Sequence, residues 1–98
     1  MSDFTVTRTV VIANEQGLHA RPADMFVRTA IQFEASVTVS KDSLRVDGKS
    51  ILDVLTLGAA KDTELTLEAT GSDAEAALAA LAELVESNFS EPEQVDQQ

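Results

Sequence analysis

The chain has no cysteine, no tryptophan and no tyrosine, and a single histidine among its 98 residues. Without cysteine there can be neither a disulfide nor a thiolate metal site, which fits a reducing compartment. One histidine alone cannot build the usual zinc sets, so no metal and no cofactor is expected. Neither a Gly-x-Ser-x-Gly element nor a glycine-rich phosphate loop occurs, which leaves a self-contained hydrolase with little support. Long hydrophobic runs are also missing. Met1 to Ala13 alternates polar and apolar residues, as neither a signal peptide nor a membrane span would, so a soluble, cytoplasmic protein is expected. Basic residues are absent from the C-terminal third. All seven lie before residue 64, whereas residues 64–98 carry nine acids. With a net charge of -10 the chain lacks the basic footprint that nucleic acid requires. The acidic third reads as a solvated face.

What is present suits one small domain over residues 1–89, with an acidic, flexible tail over 90–98. Phe4 to Ala13 reads as a strand with Phe4, Val6, Val10 and Ile12 on one face and the threonines on the other. Asn14 to Gly17 is a turn. From about Ala20 to Ile31 or Gln32, a helix is predicted with Ala23, Phe26, Val27, Ala30 and Ile31 as its buried stripe. Ala35–Ser40 and Leu44–Val46 make a hairpin burying Val37 and Val39. Ser50 opens a short helix, Ile51 to Leu57, with Asp53 completing a capping-box pattern and Gly58 ending it. Glu64–Thr70 is the last strand, with Leu65, Leu67 and Ala69 inward. Ser72-Asp73-Ala74-Glu75 then heads the longest helix as a second capping box. Its apolar face is Ala77, Leu78, Leu81, Leu84 and Val85, and its alanines suggest close approach to a sheet. The order β-α-β-β-α-β-α predicts an α+β fold. It is a two-layer open-faced sandwich, with a four-stranded, mostly antiparallel sheet covered by helices on one face.

The chemistry is concentrated in Gly17-Leu18-His19-Ala20-Arg21-Pro22-Ala23. A helix start offers N–H groups without intrahelical acceptors and a partial positive charge, together an anion site. With His19 at the N-cap, the N–H groups of Ala20 and Arg21 are available to a phosphoryl group on its ring. Pro22 costs nothing in the first turn, and the Arg21 guanidinium adds a charge-assisted contact. A histidine that merely caps a helix is the plain alternative for any single His–Arg pair. Here nucleophile, donors and cation fall within five consecutive positions.

This stretch resembles the active-site signature of the histidine-containing phosphocarrier family HPr, from the bacterial phosphoenolpyruvate-dependent sugar phosphotransferase system. Lys49-Ser50-Ile51-Leu52-Asp53-Val54-Leu55-Thr56-Leu57-Gly58 resembles the same family's serine-site signature. The likeness covers roughly residues 4 to 89. The resemblance implies that His19 carries phosphate on Nδ1, assisted by Arg21. His19 would accept the group from Enzyme I and pass it to Enzyme IIA, as a carrier rather than an enzyme in the strict sense. It implies a monomer that docks partners through Arg21, Arg28, Lys49, Ile51, Leu52 and Leu55. Ser50, read locally as an N-cap, becomes by the same likeness a regulatory site for HPr kinase/phosphorylase. An alternative follows, a phospho-switch module read out by partner proteins. The ending Leu67-Glu68-Ala69-Thr70-Gly71 resembles the nitrogen-related branch, and Asp53 stands where relatives with serine regulation often have glycine.

Overall fold

The computed structural model describes residues 5–89; Phe4 and the tail over 90–98 lie outside them. Seven elements follow in the expected order: β1 (Thr5–Val11), α1 (Ala20–Ile31), β2 (Ser36–Lys41), β3 (Leu44–Asp47), α2 (Ile51–Thr56), β4 (Glu64–Thr70) and α3 (Ala74–Glu86). The strands form one sheet in the order β1-β4-β2-β3, antiparallel throughout. Period-two alternation fixes its two faces. Val10 pairs with Leu65, and Val39 and Val37 pair with Leu67 and Ala69. All six are buried, beneath Phe26, Leu78, Leu81 and Val85 from the helices. The other face is a field of hydroxyls, in which Thr7 pairs with Glu68 and Thr9 with Thr66. Thr5 and Thr70 share a hydrogen bond of 2.9 Å, and Arg45 reaches Glu68 at 2.7 Å.

Three local expectations are corrected. Ile31, assigned to the buried stripe of α1, is 59% exposed. It is the last residue of the helix, and Pro22 fills the stripe at the other end instead. Of the four alanines expected to let α3 approach a sheet closely, Ala77 is buried and Ala80 half-buried, whereas Ala76 and Ala79 are exposed. The capping box at the head of α3 does not form. Asp73 is the N-cap but makes no side-chain cap bond.

Asp73 is used elsewhere. Its carboxylate accepts the Glu34 N–H at 2.9 Å and the Ala35 N–H at 2.8 Å, tying the head of α3 to the segment between α1 and β2. The Glu34 N–H above all holds the carboxyl below its ordinary value, helped by the Ala35 N–H, its own N–H and the Lys49 ammonium, and opposed by desolvation. A lowered folded-state value gives stability that is complete above the unfolded carboxylate pKa of about 3.9 and is lost as pH falls through the folded value. Asp73→Asn is expected to lower the urea midpoint at pH 7 and to flatten its decline on acidification. A variant whose midpoint falls with acid as steeply as the parent's would refute that linkage.

Candidate functional site

Four short contacts fix the chain before His19. Ile12 donates to Thr63 O at 2.9 Å, and Leu18 donates to Ala59 O at 2.9 Å, so the β1–α1 loop lies against the α2–β4 loop. Within the loop, Asn14 O accepts the Gly17 N–H at 3.2 Å while Asn14 Nδ2 donates to Gly17 O at 2.9 Å. Gly17 takes φ +69° against the Ala59 carbonyl. Leu18 is buried and anchors the chain in the core immediately before the histidine.

His19 is the N-cap of α1, with φ -84° and ψ -167°. Its carbonyl accepts the Ala23 N–H at 2.9 Å, the first turn of the helix. The imidazole makes no capping bond and the residue is exposed. Ala20 and Arg21 are the first two helical residues, both exposed, in the turn whose N–H groups lack i−4 acceptors. Pro22 follows, buried, and no acidic side chain occupies this first turn. The electrostatics here are therefore those of an anion site: helix dipole, amide donors and the Arg21 cation. Pro22, Ala23, Phe26, Val27 and Ala30 seat the helix on the core, which makes the exposed histidine a rigidly mounted one.

The expected docking residues separate. Arg28 pairs with Asp24 at 2.8 Å, one turn back along α1. Lys49 Nζ donates to Phe33 O at 2.7 Å, just beyond the C-terminal end of α1. A helix of 12 residues puts that end about 18 Å from His19. Ser50 caps α2 by accepting the Asp53 N–H at 3.3 Å. The reciprocal half of the box is diverted, because Asp53 Oδ2 accepts the Asp47 N–H at 3.3 Å rather than the Ser50 N–H. Ile51 and Leu55 pack partly against the core, whereas Leu52 is 73% exposed, the most exposed of the large hydrophobic residues described. Of the two, Leu52 is the exposed side chain and Ile51 is half-buried. Sequence reasoning missed Lys41, whose Nζ donates to the Leu57 carbonyl at the end of α2 at 2.9 Å. It also missed Asn14. The lysine gave no local signal, while Asn14 sat in a recognised turn whose side-chain bond could have been considered.

His19, Ala20 and Arg21 all lie exposed at the surface. A cavity of about 500 Å³ between β1 and α3 is lined by Val6, Thr7, Arg8, Glu75 and Leu78 and includes none of the residues around His19. Among the described residues no group of histidines and carboxylates is arranged to hold a metal ion, and no helix is long and apolar enough to cross a membrane.

Comparison with known proteins agrees with this geometry. The family model for the phosphorylation site of the phosphotransferase-system HPr component matches residues 6–87. The phosphocarrier protein HPr of Neisseria meningitidis serogroup A is 43% identical over 86 residues, covering 88% of this chain and 97% of the relative. The crystal structure of HPr-C-His from Thermoanaerobacter tengcongensis superposes with a TM-score of 0.85 at 43% identity, over 88% of this chain and 97% of that one. An HPr dimer from the same organism gives 0.71 at 44% identity, over 84% and 94%. By sequence and by fold, the chain belongs to the HPr family of phosphocarrier proteins of the phosphotransferase system.

Proposed function

We propose that His19 receives a phosphoryl group from Enzyme I, charged by phosphoenolpyruvate, and hands it to an Enzyme IIA domain. The observation that carries this is the exposed, uncommitted imidazole at the N-cap of α1. A ring-nitrogen lone pair attacks phosphorus. The P–N bond forms as the bond to the donor breaks, and the donor keeps that electron pair. The amide donors of Ala20 and Arg21 and the Arg21 guanidinium balance the phosphoryl charge, and positioning is the main catalytic term. Because the phosphohistidine is passed on by the same chemistry, the protein is a carrier that two partners act upon. An open, shallow surface suits this better than a pocket, since each partner must cover the same histidine in turn. Incubation with Enzyme I, Mg²⁺ and phosphoenolpyruvate should put an acid-labile, base-stable phosphoryl label on the protein. A chain that stays unlabelled while Enzyme I itself is charged would end this reading.

Leu52 supplies the apolar contact for the partner. Leu52→Ala is expected to raise the KM of Enzyme I for the carrier about fivefold, equivalent to about 1 kcal/mol of docking energy. Its unfolding free energy should shift by less than about 0.5 kcal/mol, since so exposed a side chain contributes little to the core. An unchanged KM would remove Leu52 from the interface. The alternative, a switch read through a phosphate on Ser50, is less favoured by the local charges. Asp53 donates its N–H to the Ser50 hydroxyl and bonds Asp47 with its carboxylate, so a Ser50 phosphate would meet like charge in that turn.

A further inference from the structure

We infer that Asn14 is a positioning residue for the phosphoryl acceptor: its side-chain amide sets the orientation of the Gly17–Leu18 peptide and through it the place of His19. The inference rests on His19 being the acceptor.

Asn14 grips Gly17 twice, accepting its N–H through the main chain at 3.2 Å and donating to its carbonyl through Nδ2 at 2.9 Å. Both polar groups of Gly17 are thus held by one residue. The carbonyl of Gly17 and the N–H of Leu18 belong to a single planar peptide. Fixing the carbonyl therefore aims the Leu18 N–H, which meets Ala59 O at 2.9 Å. His19 is the next residue, and its carbonyl opens α1. Among the described residues the Asn14 side chain makes one hydrogen bond, the one to Gly17 O. Its Oδ1 is buried and has no hydrogen-bond partner among the described residues. An alanine or a carboxylate at this position would lack the donor, and the peptide before His19 would keep only one of its two holds, the Leu18 N–H bond to Ala59 O.

The test uses Asn14→Ala and Asn14→Asp, the second keeping the shape of the side chain while replacing its donor with an acceptor. Each is compared with the parent, well below its melting temperature, for phosphorylation by Enzyme I and by phosphoramidate, a small donor that needs no docking. Misplacing a reacting group by about an ångström can cost up to a hundredfold in rate. Both variants should therefore accept phosphate about tenfold more slowly from either donor, with the KM for Enzyme I unchanged. Parent-like rates in Asn14→Asp would show that the side chain only fills space and would overturn the inference, as would a change confined to KM. If one variant does not fold, the other decides by the same rates. A parent protein that Enzyme I fails to phosphorylate would instead overturn the reading of His19 itself.

Discussion

His19→Ala is expected to abolish the phosphoryl label completely while leaving the protein as stable as its parent. The two halves of this result come from one observation. The His19 ring is exposed and makes no cap bond, so its removal creates no cavity and leaves no donor or acceptor unpaired. Surface changes of that kind fall within about 0.5 kcal/mol. The chemistry has no substitute, because the chain holds no second histidine. His19→Asn sharpens the point. Asparagine is among the best N-caps and accepts from the N–H groups of the first turn, the same donors proposed to hold the phosphoryl group. That variant should gain roughly 0.5–1 kcal/mol of unfolding free energy and take no label. A stability gain with loss of function would mark His19 as a position where the fold forgoes a good cap for a reactive side chain. Matched urea titrations and phosphorylation assays measure both. Label surviving in His19→Ala would move the acceptor elsewhere, and a fall of several kcal/mol would mean the ring has a structural role.

What could be read from the sequence follows the range of the interactions concerned. The β-α-β-β-α-β-α order comes from alternation and helical stripes, which are local. So do the two helix starts at His19 and Ser50, where turn, cap and apolar run stand together. Most of the misreadings involve partners outside the few-residue window that a local motif covers. Ser72 and Glu75 fit a capping box, yet the N-cap is Asp73, whose carboxylate goes to Glu34 and Ala35. Asp53 fits one too, and goes instead to Asp47. Lys41, which carried no sequence signal, and Lys49, expected at the docking face, each donate to a carbonyl 16 positions away, near the end of a helix, where the dipole favours positive charge. Ile31 continues an apolar periodicity that the core beneath the helix no longer matches.

Gly17→Ala is expected to damage both the fold and the carrier, and to do so far more than the same change at Gly58. Both glycines have positive φ, +69° and +56°, a region that costs an L-residue roughly 1–2 kcal/mol. Their surroundings differ. A Cβ at Gly58 would meet nothing within 4 Å, whereas at Gly17 it would stand 2.3 Å from Ala59 O and 2.8 Å from Ala60 Cα. Both obstacles are backbone and cannot swing aside, so the two loops must part. The Leu18 bond to Ala59 O is then weakened, adding about 1 kcal/mol. The sum for Gly17→Ala is roughly 2–3 kcal/mol, against about 1–2 kcal/mol for Gly58→Ala. Separation of the loops also shifts the peptide that carries His19, so phosphoryl acceptance by Gly17→Ala should fall at least tenfold even where the protein remains folded. Gly58→Ala should accept phosphate at close to the parent's rate. Equal losses of stability in the two variants would mean that backbone conformation alone sets the cost. Parent-like transfer in folded Gly17→Ala would mean that the contact between the β1–α1 and α2–β4 loops does not hold the histidine in its reactive place.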